Sequence, residues 1–176
     1  WCTVKTINDA IHGQFRIDGV REDLLSTPEM NKLSHIKQLG LAHLVFPGAH
    51  HTRFEHSLGV SHVSGMMADS LGLGEFEKTT VGVAALLHDV GHGPYSHSVE
   101  FAMPMVSTLP GYTGDADRQA SHEDYTVAII TQTSVKDLIQ ENFAFTAAHV
   151  ASLFAPEVFV DDDFFMEKGL DLRPLF

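Results

Sequence analysis

Two long helix-compatible stretches, separated only by Gly72-Leu73-Gly74, constrain this chain more than any other feature. The first runs over about residues 52–71 and ends at those glycines. The second covers roughly 75–90 and is closed by Gly91, Gly93 and Pro94, which break helices. So short a connection leaves the two helices antiparallel and side by side. Much of the remainder reads the same way. Thr27-Pro28 opens a helix whose Met30, Leu33, Ile36 and Leu39 share one apolar face. A short helix is expected over 95–104, Ser121 caps one running through Ile130, and helical patches follow at 135–141 and 145–154. Residues 45–51, with Pro47-Gly48, and the polar segment 109–120 read as loops, and Asp161-Asp162-Asp163 marks a turn before a last helical piece. Strand character is confined to 14–18, an alternating arm between Gly13 and Gly19 that suits a short N-terminal hairpin. The fold class expected is an all-α bundle over 1–176, read as a single domain.

Composition narrows what such a bundle does. The chain carries 23 acidic and 11 basic residues, a net charge of −12, and its basic residues form no run, so nucleic acid is an unsuitable partner. No apolar stretch has the length that crosses a bilayer, and no signal-like block follows Trp1. A single cysteine, Cys2, excludes an internal disulfide framework, which fits a reducing, cytoplasmic setting. The opening Trp1 and the abrupt end at Phe176 read as a piece of a longer chain, incomplete at both ends. The 12 histidines are the compositional oddity, and their positions decide what they mean.

The informative positions lie between Arg53 and His97. The pair His88-Asp89 ends a helix that presents Val81, Val83, Ala84, Leu86 and Leu87, apolar nearly all round and hence buried. An imidazole and a carboxylate at a buried helix end are costly unless something pairs with them. A divalent metal does so, and neutral imidazole and carboxylate are suitable ligands for zinc, iron, manganese or nickel, with magnesium also admissible. His56 supplies a third ligand from the neighbouring helix. Arg53, one turn earlier on the same face, suits a phosphate oxygen beside the metal. A His-Asp dipeptide alone is common, and a buried histidine bonded to a carboxylate is often purely structural. It is the combination with Arg53, His56 and two further histidines that points to a metal. His62 lies about 240° round the helix from His56 and faces away, in a structural or surface role. His35, His43 and His149 show no partner pattern, His12 and His51 suit loop bracing, and Met66-Met67 reads as packing.

Several strings carry a resemblance: Ile36-Lys37-Gln38-Leu39-Gly40, Val45-Phe46-Pro47-Gly48-Ala49, Thr52-Arg53-Phe54-Glu55-His56-Ser57-Leu58-Gly59-Val60 and His88-Asp89-Val90-Gly91-His92-Gly93-Pro94-Tyr95-Ser96-His97. Together they resemble the dNTP triphosphohydrolase branch of the HD-domain superfamily. Ile11-His12-Gly13 resembles that family's opening, with Ala10 in place of a proline. The resemblance implies an HD-domain helical bundle that binds a divalent metal through His56, His88 and Asp89. It further implies Arg53 on phosphate, Gln38-Leu39 sensing the sugar, and His92, His97, Glu100 and His122 as an acid/base relay. The implied reaction releases deoxynucleoside and tripolyphosphate, with His97 or His92 protonating the leaving oxygen. Relatives of this kind often form symmetric homo-oligomers. The family's fourth ligand, an aspartate within an Asp-Arg-x-Asp-Tyr-like stretch, follows a segment resembling Leu172-Arg173-Pro174-Leu175-Phe176 and is expected beyond the given residues, because Asp161, Asp162, Asp163 and Asp171 sit in a different context. Two rival readings stand beside it: a phosphohydrolase for a cyclic nucleotide, guanosine tetraphosphate or a 5′-nucleotide, and a non-catalytic nucleotide-binding module.

Overall fold

A computed structural model describes residues 4–153 except 113, 115 and 116, together with Ala155, Val158, Val160 and Leu172. It begins with an antiparallel hairpin of β1 (Val4–Asp9) and β2 (Gly13–Asp18), in register from Val4 opposite Asp18 to Asp9 opposite Gly13. Asp9 Oδ1 closes the turn by accepting from the amides of Ile11 and His12 at 2.8 and 2.7 Å. The alternation of 14–18 predicts β2. Its partner is largely exposed and has no clear two-residue period, so it left no such trace. Phe15 and Ile17 point inward, and Phe15 stacks on His62 at 4.3 Å between ring centres. His62 is therefore a structural brace between hairpin and helix.

After α1 (Val20–Leu25), the expected helix from Thr27 is shorter than its apolar spacing suggests. Thr27 caps α2 (Pro28–Asn31), which tightens into a 3-10 turn over Lys32–His35 and stops. Ile36 is extended because its carbonyl accepts from the Arg53 amide at 2.9 Å, a bond incompatible with continuing the helix. Met30, Leu33 and Ile36 are buried as the spacing requires, whereas Leu39, beyond the break, is 53% exposed.

The two long helices are α3 (Arg53–Ser70) and α4 (Glu75–Leu87). A capping box of Thr52 and Glu55 starts α3, satisfying amides that the first turn leaves without partners. Gly72, at φ 70°, lets the chain reverse where a side chain would be strained. Every residue of α4 from Thr80 to Leu87 is buried, so this helix is the core's axis, with α1, α3 and α7 against it. Ser61 donates to the Gly82 carbonyl at 2.8 Å where α3 and α4 touch. The Met66-Met67 pair does not pack as expected: both side chains are about half exposed.

The segment expected as a helix over 95–104 is a 3-10 turn, Ser96–Ala102. Then come α5 (His122–Gln132), α6 (Ser134–Asn142) and α7 (Ala147–Ser152), which pack on one another and close the core around Ile130, Ile139, Phe145 and Val150. The protein is thus a helical bundle with a small hairpin. The acidic turn 161–163 and Asp171 lie outside the described residues. No described helix is long and apolar enough to cross a membrane.

Candidate active site

The N-terminal end of α3 meets the C-terminal end of α4. Arg53 and His56 come from the first turn of α3, His88 is the C-cap of α4, and Asp89 follows it. One ligand atom from each of His56, His88 and Asp89 lies within 4.8 Å of the others. Asp89 is the hub. Its Oδ2 accepts from Arg53 Nη1 at 2.6 Å and lies 3.6 Å from His56 Nε2, while Oδ1 lies 3.4 Å from both His88 Nε2 and His92 Nε2. Burial alone would raise the Asp89 carboxyl. The hydrogen bond from His92 and the positive charges of His88, His92 and Arg53 more than reverse that, holding it well below the usual carboxylate range. Burial lowers His56 despite the opposing attraction of Asp89, so it stays neutral and keeps a lone pair. The His88 Nδ1 hydrogen points at the Ala85 carbonyl, 2.7 Å away, which leaves Nε2 as the free donor atom facing Asp89. Two imidazoles and a carboxylate form a donor set that fits a divalent ion.

A second cluster adjoins the first through His92. Its ring, 3% exposed, stacks on that of His122 at 3.9 Å and 16°, and stands edge-on to His97 at 5.3 Å. Glu100 joins the other members: its Oε1 lies 2.5 Å from His122 Nδ1 and 3.2 Å from His97 Nδ1. The hydrogen bond from His122 is the main reason the Glu100 carboxyl sits below its ordinary value. His92, His97 and His122 also bring ring nitrogens within 4.8 Å of one another. Parallel stacked rings aim their lone pairs along parallel lines, however, so this trio suits proton handling better than chelation. His122 begins α5, and its placement is fixed by the capping box of Ser121 and Asp124, with Arg118 bonded to Asp124 at 2.6 and 2.7 Å.

Gly91 lets these parts meet. A Cβ there would run into the His122 carbonyl and the Thr126 amide, and would lie 2.5 Å from the Thr126 hydroxyl. The loop after Asp89 therefore lies directly on the backbone of α5. The chain then passes through Tyr95, at φ 67° the only positive-φ residue other than glycine among the described residues, before turning to present His97 and Glu100. Such a conformation costs about 1–3 kcal/mol and persists only where its surroundings impose it.

Gln38 is brought to the same end of α3. Its amide donates to the His51 carbonyl at 3.1 Å and Lys37 bridges to Thr52, so the 36–38 strip lies against the start of α3. Gln38 Oε1 is buried and makes no hydrogen bond among the described residues. Leu39 faces outward instead. The structure thus gathers Arg53, His56, His88, Asp89, His92, His97, Glu100 and His122 into two touching clusters, with Gln38 alongside. Among the other histidines, His149 is buried and serves the Thr146 capping box, His43 lies near the Gly40 carbonyl, and His12 packs over Gly59. Sequence reasoning passed over Thr126, whose one signal is a hydroxyl one turn after His122. A cavity of about 360 Å³ lies elsewhere, between the hairpin, α1, α3 and α4, and is lined by Phe15, Arg21, His62, Met66 and Lys78 among others. None of the candidate residues borders it.

Residues 53–157 match the HD domain family, more than half of the chain and nearly the whole region just described. The chain belongs to the HD-domain family. Curated relatives of this HD domain include the human deoxynucleoside triphosphate triphosphohydrolase SAMHD1, 44% identical over 102 residues that cover 54% of this chain and 16% of that protein. The homologue from Dictyostelium discoideum is 38% identical over 133 residues, covering 72% of this chain and 24% of its own. The chain therefore spans at most about a quarter of the length of these relatives. A solved structure of a hypothetical protein from Aquifex aeolicus superposes with a TM-score of 0.67 at 32% identity, covering 88% of this chain and 42% of that one.

Proposed function

We propose that this HD domain is the metal-dependent catalytic part of a nucleotide phosphohydrolase that converts a deoxynucleoside triphosphate to deoxynucleoside and tripolyphosphate. The observation that carries the reading is the convergence of His56, His88 and Asp89 beside a buried arginine, with His92 linking that point to a histidine–glutamate row. The activity for which the curated relatives are named supports the choice of substrate class.

His56, His88 and Asp89 would hold the ion, and manganese, iron, zinc, nickel and magnesium all accept such ligands. When bound, a divalent cation supplies Lewis acidity toward a phosphoryl oxygen. The remaining work falls to the chain's own groups. Arg53, bonded to Asp89, places fixed positive charge where phosphate charge develops. Glu100 orients both His97 and His122 through Nδ1, leaving each Nε2 to give or take a proton. His97 is the member that reaches a substrate: its side chain is 67% exposed, against 3% for His92. His97 therefore protonates the leaving 5′ oxygen, and His92 and His122 act behind it. Gln38, with its buried side-chain oxygen beside the start of α3, orients the sugar.

The test is product analysis with added manganese on a panel of dNTPs, a cyclic nucleotide, guanosine tetraphosphate and a 5′-nucleotide. Tripolyphosphate and deoxynucleoside from a dNTP, lost in His88→Ala, is the expected outcome. A nucleoside monophosphate from the cyclic nucleotide, pyrophosphate from guanosine tetraphosphate or orthophosphate from the 5′-nucleotide assigns the site to that substrate, and turnover of none leaves a binding module.

A further inference from the structure

One hydroxyl ties together the two clusters of the site. Thr126 is fully buried and stands one turn after His122 on α5. Its Oγ1 accepts from the Gly91 amide at 2.9 Å across the gap between the elements. The same oxygen lies 3.0 Å from the His122 carbonyl and 3.3 Å from the His88 carbonyl. Its single hydrogen serves one of these carbonyls at a time. A hydroxyl bonded only to the carbonyl four residues back would be an ordinary feature of a helical threonine. The bond to Gly91, thirty-five residues away, is not. It captures the first amide after His88-Asp89-Val90, in a place where Gly91 has no side chain to hold the helices apart. Around this point the His92 and His122 rings lie face to face at 3.9 Å, and His122 reaches Glu100 at 2.5 Å.

We propose that Thr126 is a positioning residue of this site: its hydroxyl docks the first turn of α5 on the Gly91 amide and so keeps His122 stacked on His92 and bonded to Glu100. Thr126 meets no substrate and acts through His122. The inference rests on the reading that His122 belongs to the acid/base row. It predicts that loss of the oxygen alone uncouples the row while the metal ligands stay in place.

Thr126→Ser and Thr126→Ala differ by that oxygen and nothing else, which makes them the decisive pair in the metal-loaded protein. Misplacing a catalytic group by about 1 Å costs up to about 100-fold in rate, so Thr126→Ala is expected to lower kcat about 10- to 100-fold, with KM within about threefold of wild type. Metal content stays unchanged and Thr126→Ser recovers the rate. In a His122→Ala background the same Thr126→Ala change alters kcat less than about twofold, because the residue through which it acts is gone. A wild-type rate in Thr126→Ala overturns the proposal. So does an equal loss in Thr126→Ser, or a loss of the same size without His122. Thr126→Val, which retains the methyl packing, replaces Thr126→Ala if the latter does not fold. A readout independent of turnover separates this inference from the proposed activity: the nuclear Overhauser contact between the rings of His92 and His122. The contact is expected in wild type and Thr126→Ser and absent in Thr126→Ala, even if no dNTP is hydrolysed. Its survival in Thr126→Ala refutes the positioning role.

Discussion

Removing Asp89 should destabilise the fold before any question of catalysis arises. Arg53 Nη1 and Asp89 Oδ2 are 2.6 Å apart, with side chains only 4% and 12% exposed. Deleting one partner of such a buried pair typically costs about 3–5 kcal/mol, because the other charge loses its compensation. Asp89 retains slight exposure, and Arg53 has interactions beyond this one, so the lower end applies to Asp89→Ala: about 3 kcal/mol. At about 2–4 °C per kcal/mol for a domain of this size, the melting temperature falls by about 6–12 °C. The double variant Arg53→Met/Asp89→Ala removes both charges and recovers most of that loss, since an apolar pair often replaces a buried ion pair without cost. Thermal unfolding followed by circular dichroism in chelator, at neutral pH, measures this without any metal contribution. The pH dependence has a defined sign. The carboxyl is held below its unfolded value, so its contribution is complete above about pH 4 and drains away as pH falls further. The gap between wild type and Asp89→Ala therefore narrows only in that acidic range. An Asp89→Ala melt within about 2 °C of wild type would refute the argument. A double variant that melts lower than Asp89→Ala would refute it equally.

Gly91→Ala forces a methyl into the His122 carbonyl and Thr126 amide, and overpacking of this kind costs at least about 1–3 kcal/mol, visible as a lower denaturant midpoint; an unchanged midpoint would mean that α5 does not dock there. His88→Ala should bind less manganese by elemental analysis, whereas His62→Ala, which loses only its stacking on Phe15, keeps wild-type metal content. Burial holds His56 and His92 below the ordinary histidine value, so the unfolded chain takes up protons first as pH drops. Metal-free stability should thus be complete above about pH 6.5 and decline below it; a urea midpoint that rises between pH 7.5 and 5.5 would contradict this.

The long antiparallel pair was legible because its signals are local: glycines at 72 and 74, and an apolar run ending in His88-Asp89 and closed by Gly91, Gly93 and Pro94. The same locality made His56, His88 and Asp89, which the structure brings within 4.8 Å of one another, readable as a group. Failures came where a distant bond overrides local preference. The helix expected through Leu39 stops at Ile36 because the carbonyl of Ile36 serves Arg53, seventeen residues on, which no apolar period encodes. β1 stayed hidden because an exposed edge strand need not alternate. Met66 and Met67 looked like packing by residue type, yet lie on a face of α3 that no described element covers closely enough to bury them. Thr126 escaped notice because a threonine inside a helix carries no mark of the amide it will meet from another element.

The strip that joins residues 36–38 to the start of α3 has a bearing on how such a chain can vary. Arg53 N to Ile36 O, Gln38 N to His51 O and Lys37 Nζ to His50 O clamp both ends of the intervening excursion, at 2.9, 3.1 and 2.7 Å. Within it, Leu41, Leu44, Val45 and Phe46 face outward, and its backbone bonds are chiefly to itself. The excursion is in effect an exchangeable cassette. Doubling its length would cost only about 0.6 kcal/mol of closure entropy. Because both ends are fastened, residues can be spliced in or out there while the amide side chain at one stitched end keeps its spacing from the guanidinium at the other.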